Sequence, residues 1–175
     1  HRWFYGDTLF IIDLWIWIAL GLSVWLSLRR ERRGAANWQR PAWIGFAAVS
    51  AYISINGLIT GVAERTTAEA LRGVGRTDVL VVASPPPLAF WKREIFWRSG
   101  GRYGSGTFEP GVGGTLDITG KDTGMDDPRL ATWVKADPSA RAFLFWARMP
   151  VAEPDGDAIV LRDQRYMQPL ARDRF

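Results

Sequence analysis

The chain lacks cysteine entirely and has a single histidine, His1, among its 175 residues. The absence of cysteine excludes a disulfide framework, a thiolate metal site and a cysteine nucleophile, and it leaves the redox state of the compartment open. A single histidine provides neither the His pair of common zinc sites nor a complete His-based hydrolytic arrangement within this chain. We therefore expect that any such site would combine His1 with residues that precede it.

Excess charge of one sign is also scarce in the polar part of the chain. The formal net charge of +4 and the isoelectric point of about 9.8 would by themselves suit nucleic-acid binding. Residues 1–75 carry eight arginines and five acidic residues, whereas residues 76–175 carry 14 basic and 13 acidic residues. The second part therefore has little net charge and no basic stripe, so we expect this chain to bind no nucleic acid directly.

Two long apolar runs dominate residues 1–75, which we interpret as a membrane region. Residues 9–28 contain one charged residue, Asp13, and residues 43–63 contain none. Each run is long enough as a helix to cross the ~30 Å hydrocarbon layer of a membrane. The alternative for the first run, a buried core helix, is disfavoured because apolar side chains surround the helix on all sides. The sequence thus predicts two transmembrane helices within the lipid bilayer.

The segment between the two runs, residues 29–42, holds five arginines and one glutamate. Short loops with this charge stay in the cytoplasm under the positive-inside rule. We therefore predict a multi-pass protein of the bacterial inner (cytoplasmic) membrane, with residues 76–175 outside the cytoplasm. Gly57 and Gly61 form a GxxxG motif for close helix packing. The partner of that motif is either the first helix or a second copy of the chain.

The polar remainder of the chain predicts a small α+β domain. The second helix continues as a stalk over residues 64–75, until Gly73 and Gly75 end it. Two Asp-Pro pairs, each a capping carboxylate before a residue suited to the first helical position, predict short helices over residues 128–135 and 138–146. Strands are predicted over residues 78–83, 90–97, 102–109, 115–119 and 158–162. The predicted fold class is a membrane protein with two transmembrane α-helices followed by an α+β extracytoplasmic domain, residues 76–175.

Asp13 is the most informative single residue, because a carboxylate inside a span needs a partner, a proton or a cation. It lies ~6 Å below the outer boundary by helical rise, and Asn56 lies at a similar depth on the returning helix. Glu64 at the outer end of that helix and Asp7 just above the membrane complete a polar cluster. Its role is open between a functional site and the packing of neighbouring helices.

Four sequence words, in their order along the chain, resemble a known family. They are RWFYGDTLFIIDLWIW, VVASPPPLAFWKRE, FLFWARMP and VLRDQRY. Together they resemble the C-terminal part of the YdjM-like family of inner-membrane metal-dependent hydrolases, also described as LexA-binding membrane-associated hydrolases. The resemblance implies hydrolysis with a divalent metal ion, with the main active-site motifs of the family preceding His1.

The resemblance also implies roles for individual residues. His1, Asp7 and Asp13 would face the metal ion. The C-terminal words supply five residues whose role is structural or substrate-facing: Arg148, Pro150, Asp163, Arg165 and Tyr166.

A second hypothesis comes from the aromatic content, which includes ten tryptophans. Aromatic residues of the polar part either form the core of the domain or provide a surface that binds a protein partner outside the cytoplasm. The chain would then be a non-catalytic membrane-anchored binding domain. Burial of all three of Trp91, Trp97 and Trp146 would remove the sequence support for this hypothesis.

Overall fold

The computed structural model describes residues 9, 13–156 and 158–167, and this part of the chain is α+β, as predicted. Its helices are α1 (Leu14–Arg32), α2 (Arg40–Gly73), α3 (Pro128–Ala136) and α4 (Pro138–Trp146). Its strands are β1 (Leu80–Ser84), β2 (Arg93–Ser99), β3 (Arg102–Phe108), β4 (Lys121–Asp122), β5 (Pro150–Asp155) and β6 (Ala158–Asp163). A single 3₁₀ turn, Gln164–Tyr166, follows β6 in the described residues.

The strands form two small sheets in the described part of the chain. One has the order β1-β2-β3-β4, with β3 and β4 antiparallel in the register Arg102↔Asp122. The other is the antiparallel hairpin of β5 and β6, which begins at the pair Pro150↔Asp163. Gly156 follows β5 in the left-handed region, with φ +58°, where glycine carries no steric penalty. The short β2–β3 connection agrees with the predicted hairpin.

Local capping chemistry explains the two short helices. Asp127 accepts a hydrogen bond from Arg129 N, and Asp137 accepts one from Ser139 N, so each carboxylate caps the N-terminus of its helix. The predicted strand over residues 115–119 is wrong, because only an isolated bridge between Gly106 and Leu116 forms there.

Contacts divide the chain into two compact units that are not consecutive in sequence. The first lies within His1–Thr66, Val82–Ile95 and Thr107–Thr115, and the second within Thr67–Val81, Phe96–Gly106 and Leu116–Phe175. The boundary predicted at residue 76 marks the change from apolar to polar sequence. It divides the chain differently from these contacts.

The arginine-rich connection is shorter than predicted. α1 continues to Arg32 and α2 begins at Arg40, so residues 33–39, rather than 29–42, lie between the helices. Arg29, Arg30 and Arg32 occupy the last turn of α1, where cations interact favourably with the helix dipole. The stalk is the end of α2, which runs unbroken to Gly73.

On α1 and the first part of α2, polar side chains are buried and large apolar side chains are exposed. The buried residues of α1 are Ser23 and Ser27, whereas Leu58 on α2 is 70% exposed and Trp43 is 68% exposed. In the part of the chain that the structure describes, α2 alone has the length and composition of a membrane span, and 11% of its most apolar segment is buried. α1 is described from Leu14, and its apolar part ends at Arg29. The span predicted over residues 9–28 therefore stays a prediction.

α1 and α2 approach closely at Gly45, where a Cβ atom would lie 2.4 Å from the Cβ of Ser23. One turn further along α1, the hydroxyl of Ser27 accepts a hydrogen bond from Ala42 N at 3.0 Å. A Cβ at Gly61 would meet nothing within 4 Å. The contact of α2 with α1 therefore uses Gly45, and Gly61 of the predicted GxxxG motif takes no part in it.

Candidate functional site

A buried arginine, Arg93 of β2, organises the polar interior of the first unit and is 1% exposed. Its Nε donates to Thr60 Oγ1 at 2.9 Å, and its Nη2 donates to the backbone and side-chain oxygens of Asn56 at 2.8 and 3.0 Å. Its Nη1 donates to the carbonyl oxygens of Phe90 and Lys92, both at 2.6 Å. All five N–H groups thus have neutral oxygen acceptors, which satisfies a buried cation without a carboxylate.

Asn56, fully buried on α2, connects this arginine to the predicted polar cluster. Its Nδ2 donates to the backbone oxygen of Tyr52 at 2.9 Å. The Tyr52 hydroxyl in turn donates to Asp13 Oδ2 at 2.8 Å. Asp13 and Asn56 therefore belong to one polar chain that passes through Tyr52, a residue that sequence analysis did not identify.

Asp13 is the N-cap of α1. Its Oδ1 accepts hydrogen bonds from Trp15 N at 3.0 Å and Ile16 N at 3.2 Å, in addition to the Tyr52 hydroxyl on Oδ2. The carboxylate thereby satisfies two of the four N–H groups that a helix leaves free at its start, and its charge is favourable at that end of the helix dipole. This explains an acidic residue at the head of an apolar helix.

Of the three residues predicted to face a metal ion, the structure describes Asp13 alone. Glu64 Oε1 accepts from Ala83 N at 3.4 Å, and His1 and Asp7 lie outside the described residues. Among the residues that the structure describes, no group of three or more histidine, aspartate or glutamate side chains is arranged to hold a metal ion. The carboxylate of Asp13 accepts three hydrogen bonds, two on Oδ1 and one on Oδ2. The metal site stays a prediction.

An aromatic cluster closes the space beside Asp13. The ring of Phe90 packs edge-on against Trp15, with centroids 6.1 Å apart, and against Tyr52 at 5.3 Å. Trp15 Nε1 donates to Leu88 O at 3.1 Å. The crevice that remains has a volume of about 10 Å³, which is room for about one water molecule. This cluster therefore holds the chain before β2 against α1 and α2, and it leaves no room for a substrate.

The five C-terminal residues of the family words come together in the second unit around Asp163, which is 6% exposed. Its carboxylate accepts from Arg148 N at 3.0 Å and from the guanidinium of Arg165 at 3.0 and 3.1 Å. Pro150 pairs with Asp163 across the hairpin, and the Arg165 guanidinium lies 5.3 Å from the centre of the Tyr166 ring. Asp163 thus joins the start of β5 to the end of β6.

Burial and hydrogen bonding act in opposite directions on this carboxyl group. Burial raises the pKa of Asp163, but the hydrogen bonds and positive charge of Arg165, with the N–H of Arg148, outweigh it. The pKa of Asp163 therefore lies below the ordinary value of an aspartate. A carboxylate held by so many donors serves as a fixed structural anion.

A groove of about 390 Å³ opens beside this cluster, a volume within the range of ligand and peptide sites. Its lining combines aromatic and basic side chains: Phe143, Trp146, Arg162, Arg165, Tyr166 and Met167. Trp146 is 59% exposed and Tyr166 is 63% exposed. The second unit therefore presents aromatic surface to solvent around an open depression.

The three tryptophans that test the partner hypothesis differ in burial. Trp97 is fully buried, and its Nε1 donates to Asp117 O at 2.8 Å. Trp91 and Trp146 are 42% and 59% exposed. Since two of the three lie at the surface, the condition that would have removed support for a binding surface is not met.

Sequence analysis missed Arg93, although the two-residue period of β2 contains a signal for it. Arg93, Ile95, Trp97 and Ser99 occupy alternate positions and are all buried. An arginine in register with Ile95 and Trp97 must share their buried face. Such a residue needs several acceptors nearby, which the polar residues of the second apolar run provide.

Comparison of the chain with protein-family models, with curated proteins and with solved structures finds no match. The resemblance to the YdjM-like family therefore stays a prediction from its sequence words.

Proposed function

We propose that this chain is a membrane-anchored binding protein. α1 and α2 form a hairpin in the bacterial cytoplasmic membrane. Residues 76–175 lie outside the cytoplasm, with Phe90 and Arg93 packed against the outer part of the hairpin, and their exposed aromatic side chains bind a protein partner. The arginines at the connected ends of α1 and α2 support the location under the positive-inside rule, and the exposed tryptophans support the binding role.

One observation carries the membrane anchorage: the exposed apolar surface of α2 has the height of a bilayer. Large apolar side chains are exposed from Trp43 to Val62, whereas the exposed residues that follow include Arg65, Glu69 and Arg72. The apolar part spans 20 residues, or about 30 Å at ~1.5 Å per residue, which equals the hydrocarbon thickness. The helix continues to Gly73 without further exposed apolar surface of this kind, so a membrane boundary near Val62 explains where the polarity changes.

The burial of polar rather than apolar residues on the same helices supports this assignment. Ser23, Ser27 and Gly45 lie where α1 and α2 meet, and small residues of this kind mediate helix contacts in membranes. In water, the same two helices would expose many large apolar side chains, among them Leu58 at 70% and Trp17 at 68%, and such surfaces are rare on soluble monomers.

The binding role is supported by the groove beside Asp163. Trp146 and Tyr166 place aromatic surface there without burying it, and aromatic residues with arginine are the side chains that contribute most to protein interfaces. Hydrolysis with a divalent metal ion, implied by the family resemblance, has no comparable support among the described residues, because Asp13 is used as a helix cap.

Single-cysteine labelling tests the anchorage and orientation, and the absence of natural cysteine makes the labelling specific. We expect Lys135→Cys, exposed on α3, to react with an impermeant maleimide in spheroplasts. Asn37→Cys, between α1 and α2, is expected to react only after lysis. Labelling of both residues in intact spheroplasts would contradict the orientation, and release of the protein by alkaline carbonate would contradict the anchorage.

Site-specific photo-crosslinking tests the partner. A photoreactive residue in place of Trp146 is expected to give a discrete adduct in cells, whereas the same residue at Lys135 in the same unit gives none. Adducts of equal yield at both positions, or at neither, would exclude the groove as a binding surface.

A further inference from the structure

We infer that the cytoplasmic end of the helical hairpin binds one anionic phospholipid, with its phosphate between Arg30 and Arg40 and an acyl chain along the helices. This inference rests on the proposed membrane anchorage and adds a lipid class and a site to it. The site is a groove of about 530 Å³ between α1 and α2. Its lining is apolar along the helices and basic at one end: Leu22, Leu26, Ile44, Ala48, Arg30 and Arg40.

The groove exists because small residues form its floor. At Gly45, which has no Cβ, the backbone of α2 comes against Ser23 of α1. Larger side chains, including Leu22 and Ile44, stand beside this contact and are exposed. An elongated apolar depression open to the bilayer suits an acyl chain and would not retain a small hydrophilic anion by itself.

The charge at the end of the groove selects an anion. Both arginines are exposed and lie at the same end of the hairpin, Arg30 in the last turn of α1 and Arg40 at the first position of α2. Guanidinium groups bind phosphate through paired N–H donors. Under the predicted orientation this end faces the cytoplasmic leaflet, where basic pockets between membrane helices bind anionic headgroups.

A second depression extends the same end with polar donors. It has a volume of about 410 Å³, shares Arg40 with the groove, and is lined by Asn37, Gln39 and Trp43. Trp43 is 68% exposed at the level where indole rings prefer the membrane interface. The amide and indole N–H groups suit the hydroxyl oxygens of a glycerol headgroup such as that of phosphatidylglycerol.

The experiment is native mass spectrometry of the full chain, delipidated in detergent and titrated with phosphatidylglycerol or with phosphatidylcholine of the same acyl chains. An arginine near an anionic surface contributes about fivefold in affinity, so two predict a preference of about thirtyfold for phosphatidylglycerol. We expect Arg30→Gln with Arg40→Gln to abolish the preference. The matched control, Arg32→Gln with Arg33→Gln, removes the same charge outside the groove and should retain it.

Other outcomes overturn the inference in distinguishable ways. Equal loss in both double variants would mean diffuse attraction to charge, and displacement of the lipid by millimolar inorganic phosphate would mean a simple anion site. Ala48→Phe, which fills the groove and leaves both arginines, should weaken both lipids, and no change would exclude the acyl-chain position. Flotation of the protein with vesicles of both lipids, without a preference for phosphatidylglycerol in the titration, would overturn the lipid site alone. Failure to float with vesicles of either lipid would overturn the anchorage.

Discussion

Replacement of Arg93 is the sharpest perturbation of the first unit, because this residue has five donors, five acceptors and almost no contact with solvent. We expect Arg93→Met to destabilise the folded chain strongly and Arg93→Lys to do so by less. Methionine is close to arginine in length but offers no donor, whereas lysine retains the charge with three N–H groups in place of five.

The expected loss in the free energy of unfolding follows from the buried acceptors that lose their hydrogen-bond donor. Each buried acceptor left unsatisfied costs about 1–3 kcal/mol, and removal of the buried cation returns part of that sum. Breaking a buried charged network at one partner gives a net loss of about 3–5 kcal/mol, which we expect for Arg93→Met. Two lost hydrogen bonds give about 2 kcal/mol for Arg93→Lys.

The free energy of unfolding can be measured in mixed micelles by raising the fraction of SDS and following tryptophan fluorescence. The control is Arg162→Met, because the Arg162–Glu153 ion pair is 3.3 Å long with the arginine side chain 47% exposed, and such pairs contribute about 0–1 kcal/mol. Asn56→Leu combined with Arg93→Met should cost less than the sum of the single changes. If Arg93→Met were no more destabilising than Arg162→Met, the argument from buried acceptors would be refuted.

Three further substitutions test other parts of the structure. Asp13→Ala should lose the cap of α1 and about 1 kcal/mol of stability, whereas Asp13→Asn should retain both. Elemental analysis of the full-length protein tests the alternative. A divalent metal ion that is bound by the unmodified protein and lost from Asp13→Asn would place Asp13 in a metal site. Gly45→Ala should cost about 1–3 kcal/mol in the same unfolding assay, because its Cβ meets Ser23, and Gly61→Ala should cost little; equal effects would contradict the helix contact. Because the folded pKa of Asp163 lies below its unfolded value of about 3.9, its contribution is present above that pH and is lost as pH falls through the folded pKa. Asp163→Asn should therefore flatten the acid limb of the stability profile, and an unchanged limb would show that Asp163 does not control it.

Elements with local chemical signals could be predicted from the sequence. The Asp-Pro pairs at residues 127 and 137 give the starts of both short helices, because a cap and a proline act within one turn. The β2–β3 hairpin and the end of α2 at Gly73 follow in the same way. β5 was missed because Pro150 and Pro154 suggest a turn, yet the segment pairs with β6 over its whole length.

The predicted strand near residue 117 failed for an equally local reason. Asp117 Oδ1 accepts from Thr119 N at 3.0 Å and from Gly120 N at 3.1 Å. Backbone hydrogen bonds join Thr115 and Asp117 to β3, but this side chain takes the N–H groups that would continue the ladder beyond Asp117. The β-branched residues of this segment predict a strand, but the turn formed by the Asp117 side chain ends the strand pairing there.

The polar network needed information that no local pattern contains. Sequence analysis placed Asp13 and Asn56 at one depth by counting helical rise, and the structure joins them through Tyr52. The cation that completes the network, Arg93, comes from a strand 37 residues after Asn56. Only the fold brings the two together, because neither periodicity nor hydropathy relates positions so far apart.

The depth of Arg93 along α2 connects this network with the proposed anchorage. Asn56 lies six residues before Val62, where the exposed apolar surface ends, so its oxygens lie about 9 Å below that level. A guanidinium stays charged at any relevant pH, and at such a depth it is tolerated when it faces protein and every donor is satisfied. The five neutral acceptors meet that requirement. Because Phe90 O and Lys92 O are two of them, the same arginine fixes the start of β2 to the outer end of the hairpin.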